Sequence, residues 1–190
     1  MKILSISGSR NPNGQTEEAV GAMIKGVTRA AATAEQILLP PLRIERCRQC
    51  DDNGWGVCRT EGRCIIEDDL SAIVAKIRFA DAIIFSTPVY YSDLSESLRT
   101  FLDRLRRKCS HKKGRVSLAG KPVIGICVAG GGGVGAADCC VNLEKILSTC
   151  GFDVVDIIPV RRQNLENKKE QLSIAGEWLA RMPKKQAAKK

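Results

Sequence analysis

With 190 residues, 44% of them apolar, the chain has the size of one globular domain with a core of its own, which excludes a disordered segment. Its net charge of +9 is local: residues 99–115 carry eight basic side chains against Asp103 and residues 181–190 carry five against none, leaving the rest near −3. The body is therefore not a nucleic-acid-type basic surface, and a single histidine, His111, excludes multi-histidine metal sites and argues against Ser-His or Cys-His catalysis.

Residues 3–6 read as a short buried strand, with too brief an apolar run before Arg10 for a signal peptide, so the expected compartment is the reducing cytoplasm. A loop follows, Ser7-Gly8-Ser9-Arg10-Asn11-Pro12-Asn13-Gly14-Gln15-Thr16, and then helical spacing at Val20, Met23, Val27 and Ala30. Residues 34–39 form the next expected buried strand, and a long connection to Asp68 carries Cys47, Cys50, Cys58 and Cys64. Leu70, Ile73, Val74 and Ile77 mark a helix, residues 82–85 a strand, and Leu94, Leu98, Phe101, Leu102 and Leu105 another helix. A second long connection, 108–121, precedes a strand at 123–128, a glycine run at 130–133 and a helix bearing Cys140, Leu143, Leu147 and Cys150. A strand at 154–158 and a helix through Leu172, Ala175, Leu179 and Met182 complete the series.

Five βα alternations predict a doubly wound α/β domain, a five-stranded parallel sheet with helices on both faces. One domain is expected over residues 1–182, with a cysteine-rich insertion at 43–68 and a basic tail at 183–190. The longest uncharged run, 122–137, is too short to span a bilayer, so no membrane segment is expected.

Ligands of such sheets lie beyond the carboxyl ends of the strands. The loop after the first strand offers hydroxyls, glycines and a helix N-terminus, the equipment for holding a phosphate. It matches neither G-x-x-x-x-G-K-[ST] nor G-x-G-x-x-G. After the third strand, Thr87-Pro88-Val89-Tyr90-Tyr91 presents two aromatics, and after the fourth the glycines let a ligand approach the backbone. A receiver-type signalling domain would need acidic residues where Ser7, Ser9, Ser86 and Thr87 stand.

Gly8-Ser9-Arg10 with Gly14-Gln15-Thr16, Thr87-Pro88-Val89-Tyr90, and Leu98-Arg99-Thr100-Phe101-Leu102-Asp103-Arg104 together resemble the flavodoxin-like NAD(P)H-dependent FMN reductases and quinone reductases, and within them the iron-sulfur flavoproteins. The resemblance implies that Ser9, Arg10, Gly14, Gln15 and Thr16 hold the phosphate and ribityl chain of FMN. It implies that Thr87, Pro88, Val89 and Tyr90 flank the flavin ring, with Gly131, Gly132 and Gly133 at its other edge. NAD(P)H is then the hydride donor, a quinone, free flavin or ferredoxin-like carrier the acceptor, and a homodimer or homotetramer the assembly. A flavodoxin-type carrier without its own turnover is the alternative, against which stands the basic charge. Locally, Ser9 and Thr16 also suit helix caps, Tyr90 and Tyr91 surface or interface aromatics, and Asp103 with Arg104 a structural or subunit-contact pair. The basic stretch 104–115 suits docking of an acidic carrier or simply a solvated loop.

Cys47, Cys50, Cys58 and Cys64 suit a tetrahedral zinc or a four-cysteine cluster. The resemblance favours a 4Fe-4S cluster, because iron-sulfur flavoproteins carry clustered cysteines ahead of a helix start like Asp68-Asp69. The seven residues between Cys50 and Cys58 depart from the compact family motif, and thiols without metal remain the third reading. Cys127, Cys139, Cys140 and Cys150 read as small core residues, and Cys109 as a thiol in a solvated basic loop.

Overall fold

The computed structural model describes residues 1–183; of the expected basic tail, residues 184–190 lie outside the described residues. In chain order the elements are β1 (Lys2–Ser7), α1 (Gln15–Arg29), β2 (Thr33–Leu38), α2 (Val57–Thr60), α3 (Leu70–Phe79), β3 (Ala82–Pro88), α4 (Glu96–Lys108), α5 (Lys112–Arg115), β4 (Pro122–Ala129), α6 (Ala136–Cys150), β5 (Asp153–Arg161) and α7 (Leu165–Arg181). The five strands pair in parallel in the order β2-β1-β3-β4-β5. The expected doubly wound, flavodoxin-like α/β architecture is the one observed. The chain turns from one side of β1 to the other between β2 and β3, so the loops after β1 and β3 diverge and open a crevice there.

Side chains alternate across the central strands, as a two-residue period requires. Leu4, Ile6, Ile83, Phe85, Val123 and Cys127 face the layer of α3, α4 and α6. Ile3, Ala82, Ile84, Ile124, Ile126 and Val128 face α1 and α7. These two helices touch backbone to backbone: a Cβ on Gly26 would stand 1.8 Å from the Ser173 carbonyl oxygen, and one on Gly176 2.1 Å from that of Met23. Only glycine permits that approach.

Several expectations are corrected. The strands expected to be buried at 34–39 and 154–158 are the two edges of the sheet, and both β2 and β5 are largely half-exposed or exposed. An edge strand has a neighbour on one side only, which is why Glu35, Gln36 and Asp156 are tolerated there. Leu94 is buried but precedes its helix, which starts at Glu96. Cys109 is 1% exposed at the end of α4, not solvated. Cys127, Cys139 and Cys150 are buried as expected, whereas Cys140 is half-buried. The two long connections each contain a four-residue helix and rest on one another: a Cβ on Gly62 would lie 2.4 Å from the Gly114 nitrogen. Among the described residues no helix is long and apolar enough to cross a membrane.

Candidate functional site

The loop after β1 is organised by Asn11. Its carbonyl accepts Ser9 Oγ at 3.1 Å and the Gly14 N–H at 3.2 Å, and its Oδ1 accepts the Asn13 N–H at 3.0 Å. This Asx-type turn delivers the chain into α1 with Gly14 at the N-cap, where no side chain caps the helix. The helix-cap reading of Ser9 and Thr16 therefore does not hold. The first N–H groups of α1, which have no partner within a helix, carry the positive end of its dipole. Ser9 and Thr16 are buried beside them, 5% and 4% exposed. In the same first turn Glu17 accepts Ser7 Oγ and Gln36 Nε2, and burial pushes its carboxyl above the usual range despite those two donors.

A cleft of about 510 Å³ opens over this helix end, within the roughly 300–1,000 Å³ usual for small-molecule sites. Of the expected residues it gathers Ser9, Arg10, Gly14, Gln15, Thr16, Pro88, Val89, Tyr90 and Gly131. Thr87 is enclosed beneath it: its Oγ1 donates to the Pro88 carbonyl and accepts the Ser95 N–H at 2.9 Å, pinning the loop after β3. Gly132 and Gly133 lie outside the cleft, against Gln163 and Arg161. Asn11, Val128, Ala129, Gly130 and Val134 complete the wall. The sequence places the loops of Asn11 and of Ala129, Gly130 and Val134 at this rim without assigning those residues to the ligand, and gives Val128 only as the end of a buried strand.

At the mouth, Tyr90 and Asp93 pair through both backbone N–H groups at 2.9 Å around a two-residue turn. Tyr91 and Ser92 take left-handed backbone angles, φ 49° and 63°, in the manner of a type I′ hairpin normally built from Asn or Gly. Asp93 ties the hairpin down by accepting Arg99, the Leu94 N–H and Asn142. Tyr90, Tyr91 and Val134 stand exposed around the opening.

On the far side of α4, Cys47, Cys50, Cys58 and Cys64 line a single pocket. The seven-residue insertion does not separate them, because its Trp55 swings onto α4. There Arg107 stacks at 4.5 Å and Arg59 at 5.4 Å from the ring centroid, and Arg107 Nη1 donates to the Gly54 carbonyl at 2.7 Å. Arg48, Arg63, Arg104 and Arg107 stand among the thiols, the first three paired with carboxylates, Arg48 with Glu45, Arg63 with Glu61 and Arg104 with Asp68. Among the described residues no three His, Cys, Asp or Glu side chains are gathered closely enough to hold a metal ion. The thiols thus share a pocket without converging on one point, and the zinc reading has no ready site.

Arg104 joins the two ends of this loop. It forms an ion pair with Asp68, both side chains shielded from solvent, and donates to the Glu45 carbonyl at 3.0 Å and to Cys64 Sγ at 3.3 Å. Burial pushes the Asp68 carboxyl up, but the guanidinium and the N–H groups of Glu45 and Leu70 hold it below the usual range. Asp103 pairs instead with Arg106, so Asp103 and Arg104 do not act as one unit. Along residues 104–115, Arg104 and Lys108 are buried, Arg107 is engaged, Arg106 is half-exposed and paired with Asp103, and Lys112, Lys113 and Arg115 are exposed.

Residues 1–163 match the family described as NADPH-dependent FMN reductase. An iron-sulfur flavoprotein of Methanocaldococcus jannaschii is 34% identical over 106 residues, 56% of this chain and 52% of that protein. One of Methanosarcina thermophila is 32% identical over 122 residues, 63% and 61%. The chain thus spans about half to three fifths of the length of these curated relatives. Among solved structures, an NAD(P)H:quinone oxidoreductase of Methanothermobacter marburgensis superposes with a TM-score of 0.65 at 18% identity, covering 93% of this chain and 98% of that one.

Proposed function

The chain belongs to the NADPH-dependent FMN reductase family, and on that premise we propose that it is an FMN-dependent oxidoreductase taking hydride from NAD(P)H and passing electrons to a quinone, a flavin or an iron-sulfur carrier. The observation that carries this reading is the uncapped N-terminus of α1 opening into the cleft. A phosphate there would accept the free N–H groups of the first turn and stand at the positive end of the helix dipole. Thr16 would add a hydroxyl and Arg10 a cation at the rim. Pro88, Val89 and Tyr90 on one wall and Ala129 to Gly131 on the other leave a slot for a planar ring. When bound, FMN supplies the two-electron chemistry, which removes the need for an acid-base pair from the chain. These residues would orient the ring and shield one edge of it from water, and Tyr90 and Val134, exposed at the opening, would leave room for a second planar molecule.

A second reading adds a 4Fe-4S cluster held by Cys47, Cys50, Cys58 and Cys64, and what favours it is the single pocket that all four thiols line. A cubane with four thiolates is anionic, and Arg107, stacked on Trp55, is a cation beside it. The cubane's four thiolates would bind four different irons and need not meet at one point; no electron route is drawn through this pocket.

The test is oxidation of NADPH and NADH by the FMN-loaded protein with a soluble quinone. Turnover well above that of free FMN supports the reductase; flavin bound without turnover would assign a carrier instead. Iron and sulfide analysis of the same air-free sample decides the second reading.

A further inference from the structure

A guanidinium carries five N–H groups. On Arg104 four have partners: Nη1 donates to the Glu45 carbonyl at 3.0 Å and to Asp68 Oδ2, and Nη2 donates to Asp68 Oδ1 at 3.1 Å and to Cys64 Sγ at 3.3 Å. The fifth, on Nε, is shielded from solvent and has no acceptor among the described residues. Arg104 is itself 2% exposed and lines the pocket of the four thiols. A buried donor without an acceptor is rare in folded proteins and calls for an explanation.

We infer that Arg104 is the positioning residue of an anionic, sulfur-rich group in this pocket: held by Asp68, it orients Cys64 Sγ and turns its spare Nε–H to a further sulfur acceptor. The inference rests on the iron-sulfur reading and adds to it a residue outside the ligand set. Arginine suits the task because its planar fork pairs with a carboxylate through two N–H groups and still has donors to spare, which lysine lacks. Hydrogen bonds to cluster sulfurs stabilise the reduced, more negative state and so raise the potential.

Arg104→Lys keeps a cation for Asp68 and loses the spread of donors. Arg104→Met with Asp68→Asn removes both buried charges together. Wild type and both variants are loaded with FMN and reconstituted with ferrous iron and sulfide without air. Iron and sulfide per chain are measured, with the midpoint potential from a dye-mediated titration followed in the visible spectrum. All three should hold FMN equally; the lysine variant should show a more negative potential and release iron to a chelator several-fold faster, and the double variant should go further in both. A structural role alone would leave the potential of the iron-loaded fraction unchanged, and that result overturns the inference while sparing the cluster. A wild-type chain that takes up FMN but no iron overturns the cluster reading and the inference with it.

Discussion

Removing Asp68 tests how the cysteine loop is anchored. Its side chain is 0% exposed and accepts two N–H groups from Arg104, with the backbone N–H of Glu45 at 2.8 Å and of Leu70 at 3.2 Å. Asp68→Ala takes away all four acceptor contacts and leaves a guanidinium buried and unpaired, which costs about 3–5 kcal/mol. That is a large share of the roughly 5–15 kcal/mol by which domains are stable. At about 2–4 °C per kcal/mol for a chain of this length, the melting midpoint should fall by roughly 6–20 °C. Asp68→Asn with Arg104→Met removes both charges and keeps an oxygen for one of the two backbone N–H groups, which bond different carboxylate oxygens, so urea titration should place it between wild type and Asp68→Ala. The pH dependence has a definite sign. Because the Asp68 carboxyl is held low in the fold, its contribution is complete above the unfolded carboxylate value of about 3.9 and is lost as pH falls through the folded value. The gap between wild type and Asp68→Ala should therefore close only below about pH 4. A double variant as unstable as the single one would refute the ion-pair reasoning.

Thr16→Val should weaken FMN binding about ten- to a hundredfold, the worth of one hydrogen bond to a charged group, as read by quenching of flavin fluorescence. Equal affinity would remove Thr16 from the phosphate site. Gly26→Ala drives a methyl into the Ser173 carbonyl and should cost about 1–3 kcal/mol in urea, as overpacking does; a neutral result would mean α1 and α7 are not in backbone contact. Glu17 carries the opposite pH sign to Asp68. Burial raises its carboxyl pKa in the fold, so the stability of the wild type should rise as pH falls from neutral toward the unfolded value, and Glu17→Gln should flatten that rise. Urea midpoints at pH 5 and 7.5 that move in parallel for both chains would contradict this.

Elements with a strong period were legible in the sequence. The runs at 82–85 and 123–128 are buried on both faces, and the apolar stripe of α4 survives a helix otherwise full of arginine. The edge strands were misjudged because an apolar run does not say which strands gain two neighbours. In the cleft, the loops after β1 and β3 were legible because strand ends and turn residues sit at fixed chain positions. Thr87 pointing inward, and Gly132 and Gly133 turning away, depend on tertiary contacts with Ser95 and Gln163 that no spacing encodes. The partnership of Arg104 with Asp68 spans 36 residues, and nothing local to either residue announces it. The same holds for Gly62 against Gly114, which brings the two long connections together. The cysteine spacing gave the right four residues for one pocket. It concealed how Trp55, packed between two arginines, absorbs the insertion.

The central claim is that the cleft over α1 holds FMN. Purified protein is mixed with excess FMN, freed of unbound flavin on a desalting column, and its visible spectrum recorded. The account predicts flavin bands co-eluting with the chain at about one FMN per cleft, and their loss when Gly14→Asp places a carboxylate at the positive end of α1. A colourless protein with native circular dichroism, all flavin being in the small-molecule fraction, would contradict it.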